Sequence, residues 1–165
     1  MFAFMKKKNQ PDHLTAFVSG TVIPMEEVPD PVFSTKRLGD GAAIYPSEGQ
    51  IMAPADGVIS VVMDDSKHVI GMTLSNGIEV LIHVGLDTVA LNGEGFTLCT
   101  KAGAKVKGGD LLLKFDRKMI EDRGYSDLVV FVITDLKGHE SPKYLTGMDA
   151  VAGQTVIAEW GKESK

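Results

Sequence analysis

Glycine and proline, 18 and 7 in number, punctuate this 165-residue chain so regularly that few stretches could hold a helix of about ten residues. The runs between these breakers are short and apolar: FVSGTVIPM, AAIYPSEGQIMA, GVISVVM, HVIGMTLS, IEVLIHVG, KVKGGDLLLKF, DLVVFVIT and QTVIAEW. Apolar runs bounded by turn residues predict an all-β chain, a compact antiparallel sandwich or barrel with at most short helical turns. The one helix the sequence supports runs from Arg117 to Asp122 and stops at Gly124, a residue suited to the left-handed conformation that ends helices. A faint echo links SGTVIPM at 19–25 with DGVISVVM at 56–63, too short to establish a duplication. No linker divides the chain, so the expected organisation is a flexible tail over 1–15, one domain over 16–161 and a second tail over 162–165.

A hydrophobic content of 44% and a mean hydropathy of +0.05 suit a single domain with a sizeable core. The net charge of −5, with no basic block beyond Lys6-Lys7-Lys8, argues against nucleic-acid binding and predicts partners that carry positive charge. Cys99 has no second cysteine to pair with, and in MFAFMKKKNQPDHL the apolar patch precedes the lysines, the reverse of an export signal. Both features predict a cytoplasmic protein. The tail offers little apolar area, enough for weak membrane contact at most, and its His13 is expected to be solvated.

The chemistry concentrates in KHVIGMTLSNGIEVLIHVG (67–85), where His68 and His83 flank Asn76-Gly77. Asn-Gly between alternating apolar runs predicts a hairpin with a type I′ turn, because such a turn needs positive φ at both central residues. That turn would set His68 opposite Gly85 and His83 opposite Ile70, with 68, 70, 81, 83 and 85 on one face. The imidazoles would be diagonal neighbours, about 7 Å apart or somewhat less between Cβ atoms. A three-residue loop would shift the pairing by one and separate them. One histidine in an apolar strand is ordinarily a structural residue, whereas two on one face of one hairpin point to a reacting centre. Gly85, opposite His68, and Gly71 would leave room for close approach by a ligand or another protein.

Around this hairpin stand MAPADGVIS (52–60), DDSKHVIG (64–71) and GIEVLIHVGLDTVALNGEGF (77–96), preceded by EVPDPVF (27–33) and GDGAAIYPSEG (39–49). In order and spacing these segments closely resemble the glucose-family enzyme IIA of the bacterial sugar phosphotransferase system, from residue 16 to 160. The resemblance implies a β-sandwich of the duplicated hybrid motif type and a phosphotransferase component that works through a phosphohistidine and needs no cofactor. It also implies the partners: the histidine phosphocarrier protein (HPr) as donor, the IIB domain of a sugar permease as acceptor, and transporters or kinases as regulated targets.

By position in the motif, the resemblance makes His83 the phosphorylated nucleophile and His68 the second active-site histidine. A neutral imidazole, with a usual pKa of about 6.5, can attack a phosphoryl group near neutral pH when an acceptor orients its other nitrogen. His68 would then stabilise the transferring phosphoryl oxygens, and the Ser66 hydroxyl would support His68. Asp87 keeps its place in the motif and is assigned to recognition of a basic partner. Asp30, Val32 and Phe33 from VPDPVF, with Val89 from LDTV, are expected at the partner surface, Phe33 as its aromatic anchor.

No Walker A sequence, kinase glycine loop or Asp-rich metal cluster is present. Two histidines fill half of a tetrahedral zinc shell, so no intrinsic metal site is expected, although a partner carboxylate could let zinc bridge His68 and His83 in a complex. The main rival, a zinc peptidase of the lysostaphin type, needs a His-x-His pair, and the residues two away from His83 are Leu81 and Gly85. A purely regulatory binding module is the other alternative.

Overall fold

The structure, a computed structural model, describes residues 12–161. In chain order its strands are β1 (His13–Thr15), β2 (Gly20–Pro24), β3 (Gly41–Pro46), β4 (Gln50–Met52), β5 (Gly57–Val62), β6 (Val69–Leu74), β7 (Glu79–Leu86), β8 (Phe96–Leu98), β9 (Lys105–Val106), β10 (Leu111–Phe115), β11 (Ser126–Asp135), β12 (Lys143–Tyr144), β13 (Asp149–Ala150) and β14 (Val156–Glu159). The helices are α1 (Pro31–Ser34) and α2 (Arg117–Asp122), and 3-10 turns cover Met25–Glu27 and Thr88–Leu91. Every strand pairing among the described residues is antiparallel.

One large sheet runs in the order β13-β2-β3-β11-β7-β6-β5-β9, and two small ones run β4-β10-β8 and β1-β14-β12. The expected all-β sandwich is therefore what forms. The duplication that the sequence only hinted at is plain in this order. Gly20 of β2 pairs with Ala150 and Pro46, and Gly57 of β5 pairs with Val106 and Leu74, so the two strands of the faint echo hold matching places near opposite edges. The two small sheets repeat one another, and β11 and β7 meet where the halves join.

The central strand β11 reads as an unbroken apolar run because both of its faces are buried. Val129, Phe131 and Ile133 point into the main core between the sheets, and Phe131 stacks on Phe17 with ring centroids 5.5 Å apart. Leu128, Val130 and Val132 point the other way, into a smaller cluster with Met25, Val28, Phe33, Ala43 and Leu86. Large side chains of this kind each contribute about 1.5–3 kcal/mol on full burial. The same alternation in β7 sends Val80, Ile82 and Val84 into the main core and leaves Leu81 and His83 on the outer face.

The helix expected at 117–122 forms over those residues: the Asp116 side chain accepts from Met119 N at 3.1 Å, and Gly124 follows with φ +86°. Arg117 pins it to the sheet, its Nε 3.0 Å from the buried Asp127 carboxylate and its Nη1 3.0 Å from the Ser47 carbonyl.

Two expectations need correction. The tail expected over 1–15 is too long, because His13–Thr15 form β1 against β14 and Leu14 is wholly buried there. His13 itself is exposed beside Asp12. The expected tails otherwise fall on residues 1–11 and 162–165, which lie outside the described residues. The second correction is the hairpin register. The Leu74 N–H donates to Ile78 O and the Gly77 N–H to Leu74 O, both at 2.8 Å, and only Gly77 of the loop takes positive φ, +94°. The loop is thus three residues long, with Gly77 making the bulge, and Val69 rather than Ile70 lies opposite His83.

Candidate functional site

With that register, period-two alternation would put His68 and His83 on opposite faces, yet their rings meet edge to face with centroids 4.8 Å apart and planes at 88°. His68 escapes the alternation because it precedes the first residue of β6 and follows Lys67, which is left-handed at φ +57°. The His68 carbonyl still accepts from Val84 N at 2.7 Å, so the backbone stays zipped to β7 while the ring turns towards His83. The rings thus meet as expected, although the expected register does not form. The shared face of 68, 70, 81, 83 and 85 does not exist: Ile70 lies in the main core and Leu81 on the outer face.

His83 is half-buried on the outer face, and its Nδ1 lies 2.8 Å from the Gly85 carbonyl. A carbonyl oxygen can only accept, so Nδ1 carries the proton and Nε2 is left with a free lone pair. Gly85 turns its carbonyl to this position at φ +82°. His68 is 4% exposed, and its Nδ1 lies 2.8 Å from the Ser66 hydroxyl, itself buried. That hydroxyl is also 3.6 Å from Met63 Sδ. A hydroxyl can donate to Nδ1 or accept from it, so either tautomer of His68 finds its partner.

Burial pushes the His68 pKa down to about 4, with the neighbouring His83 adding to the effect. Burial also lowers the His83 pKa, opposed by the bond to Gly85 and by the carboxylates of Asp30 and Asp87. Both rings are neutral at pH 7. The unfolded chain binds protons more readily than the folded one between about pH 6.5 and 4, so stability is lost as pH falls through that window and is flat above it. For His68 the loss from pH 7 to pH 4 is on the order of 3 kcal/mol. Urea titrations at the two pH values should show His68→Gln losing less stability than the native protein; equal losses would contradict this burial effect.

The remaining expected residues divide into rim and floor. Val32 and Val89 are exposed at 41% and 55%, and Asp87 is exposed in a left-handed conformation at φ +62°. Asp30 is half-buried, and one carboxylate oxygen caps α1 by accepting from Val32 N at 2.9 Å. Phe33 departs from its expected role as a partner anchor: it is 5% exposed, in the cluster with Val130 and Val132, with its ring edge-on to His83 at 5.1 Å. It is a floor that fixes the imidazole, because α1 turns it inwards.

An apolar surface outside the expected site residues lies on the far side of His83. Across the outer face, Val132, Leu81, Gly71 and Val61 lie in one row beside the row of Val130, His83 and Val69. Val61 and Met63 are 47% and 42% exposed. Strict alternation from the buried Ile59 would send Val61 inwards, but a bulge between the two turns it out. Among the described residues no group of three or more His, Cys, Asp or Glu is placed to hold a metal ion, and no helix is long and apolar enough to cross a membrane.

The chain that carries this arrangement has counterparts among known proteins. Residues 12–138 match the model of the family described as phosphoenolpyruvate-dependent sugar phosphotransferase system, EIIA 1. Relatives named PTS system glucose-specific EIIA component, from Bacillus anthracis and Oceanobacillus iheyensis, are 42% and 39% identical over 157 and 158 residues, 95% and 94% of this chain and 94% and 95% of theirs. The solved structure of glucose permease IIA from Mycoplasma capricolum superposes with a TM-score of 0.80 at 33% identity, covering 88% of this chain and 93% of that one. With a family match over most of its length and relatives aligned nearly end to end, the chain belongs to the EIIA 1 family of the phosphoenolpyruvate-dependent sugar phosphotransferase system.

Proposed function

We propose that this chain is a cytoplasmic phosphocarrier that takes a phosphoryl group onto His83 Nε2 from the histidine phosphocarrier protein and passes it to the IIB domain of a sugar permease. The observation that carries this reading is the bond from His83 Nδ1 to the Gly85 carbonyl, which commits Nε2 to the lone pair on a half-buried ring. On acceptance the P–N bond of the carrier's phosphohistidine breaks as the P–N bond to His83 forms, and on onward transfer that bond breaks as the IIB nucleophile bonds to phosphorus; in each case the departing imidazole keeps the electron pair. Positioning and stabilisation of the equatorial oxygens therefore dominate the barrier. His68 donates from Nε2 to a phosphoryl oxygen once the Ser66 hydroxyl turns to donate to its Nδ1.

Partner recognition rests on Val32 and Val89 as apolar contacts and on Asp30 and Asp87 as counterions for a basic partner, with Phe33 acting from beneath. The relatives are named glucose-specific, so the IIB domain of a glucose permease is the first acceptor to try. A zinc ion held between His68 and His83 needs a carboxylate from a partner to complete its shell, which makes zinc a cross-linker of complexes. Regulation of transporters or kinases would follow from the same surface read in two phosphorylation states.

The test is incubation with phosphoenolpyruvate, enzyme I and the phosphocarrier protein, which should label the chain with phosphate that is acid-labile and alkali-stable. His68→Gln keeps a donor of different reach, so labelling should survive while onward transfer to IIB slows. His68→Ala removes the donor and should cost about 10²-fold or more in transfer rate. Native rates in both directions for His68→Ala would leave that residue without a role.

A further inference from the structure

The buried polar residues among those described are Ser66, His68, Thr88 and Asp127. The first two belong to the site, and Asp127 is held by Arg117. Thr88 has the lowest exposure of the four, 0%, and lies outside both groups. Its hydroxyl donates to the Val84 carbonyl, four residues back. Its methyl lies against Gly85: a Cβ built on Gly85 would come within 2.3 Å of Thr88 Cγ2 and 2.9 Å of Thr88 Oγ1.

Thr88 therefore closes a small ring of contacts around the peptide that follows His83. Val84 is fixed at its nitrogen by His68 and at its carbonyl by Thr88, so the next peptide has little freedom to rotate. Gly85, at φ +82°, leaves no room for a Cβ between the Thr88 side chain and the Ser126 carbonyl, and its own carbonyl accepts the hydrogen bond from His83 Nδ1. The chain then passes Asp87, left-handed at φ +62°, and reaches Thr88 as the first residue of the 3-10 turn. One side chain thus ties both ends of the turn that orients the nucleophile and displays Asp87 and Val89.

We propose that Thr88 is a positioning residue for phosphoryl transfer: its hydroxyl, by holding Val84, fixes the Gly85 carbonyl and with it the tautomer and aim of His83. The proposal rests on His83 being the phosphoacceptor, but its first readout needs no phosphate at all. A β-branched side chain with a hydroxyl suits the role, since the stiff χ1 holds the donor on Val84 while the methyl packs on Gly85. Valine matches the shape without the donor, and serine keeps the donor without the methyl.

The test is a histidine ring ¹⁵N spectrum of the isolated full chain as native, Thr88→Val, Thr88→Ser and Thr88→Ala, followed by transfer rates with the phosphocarrier protein. The native chain and Thr88→Ser should show His83 with its proton on Nδ1, and serine should transfer within about threefold of native. Thr88→Val and Thr88→Ala should show a mixture of tautomers and transfer at least about tenfold more slowly. A merely structural threonine would lower the melting temperature in all three variants and leave the His83 tautomer unchanged. A folded Thr88→Val, or Thr88→Ala should valine not fold, with His83 still protonated on Nδ1 and native transfer overturns the proposal. If no variant or native chain takes phosphate on His83 while the tautomers shift as expected, the phosphoacceptor reading has failed and the positioning of His83 by Thr88 stands.

Discussion

His83→Ala should fold as the native protein does and fail to take phosphate, with incorporation from phosphoenolpyruvate, enzyme I and the phosphocarrier protein reduced at least about 10³-fold. The fold should tolerate the change because His83 is half-buried on the outer face, away from the main core that Val80, Ile82 and Val84 fill. The loss should be near complete because, among the described residues, no other nucleophile has been placed in this geometry. His68 is the nearest imidazole, but it is buried to 4% exposure, where a partner's phosphohistidine has little access. Circular dichroism and urea unfolding check the first half of the expectation, and radiolabel incorporation checks the second. Full incorporation in a folded His83→Ala would remove the assignment of the nucleophile.

Gly85→Ala should slow transfer less than His83→Ala does but be more damaging to stability. A left-handed backbone costs an alanine about 1–2 kcal/mol, and overpacking a filled site typically costs about 1–3 kcal/mol more. Here the added Cβ would meet Thr88 Cγ2 at 2.3 Å and the Ser126 carbonyl at 2.9 Å, so either the threonine or the turn must move. Movement of the turn swings the Gly85 carbonyl off His83 Nδ1 and frees the imidazole to change tautomer. A misplacement of about 1 Å at such a site costs on the order of 10²-fold in rate. Thr88→Ser, which removes the methyl, should recover part of both losses when combined with Gly85→Ala. Unfolding curves and transfer rates for the single and double variants measure this directly, and a Gly85→Ala protein of native stability and rate would contradict the packing described.

Much of the architecture is legible in the chain because burial imposes its period on the sequence. β11 announces itself as a strand covered on both faces, and the stop at Gly124 marks the end of α2. The turn at Asn76-Gly77 misled because the same dipeptide serves two loops. In one, both residues take positive φ; here only Gly77 does, and the Asn76 side chain accepts from Ile78 N at 3.1 Å. Local chemistry cannot separate these, since the choice is made by how β6 and β7 face the core. α1 was legible and missed: Asp30-Pro31 is a capping residue followed by proline at the first helical position. A helix begun at that cap turns Phe33 inwards.

Other features have no local signature. Val61 is exposed because a bulge in β5 reverses its direction, and the Ser126 carbonyl that would meet a Cβ on Gly85 comes from β11, far along the chain. Asp87 and Val89 were placed by resemblance, and the left-handed turn that displays them depends on contacts between β7 and β11 that the sequence does not state.

Phosphorus and nitrogen NMR of the ¹⁵N-histidine chain, after phosphorylation by the phosphocarrier protein, tests the central claim most directly. The phosphate should sit on Nε2 of His83, with Nδ1 of the same ring keeping its proton. Phosphate on His68, on His83 Nδ1 or on any other side chain would contradict the account.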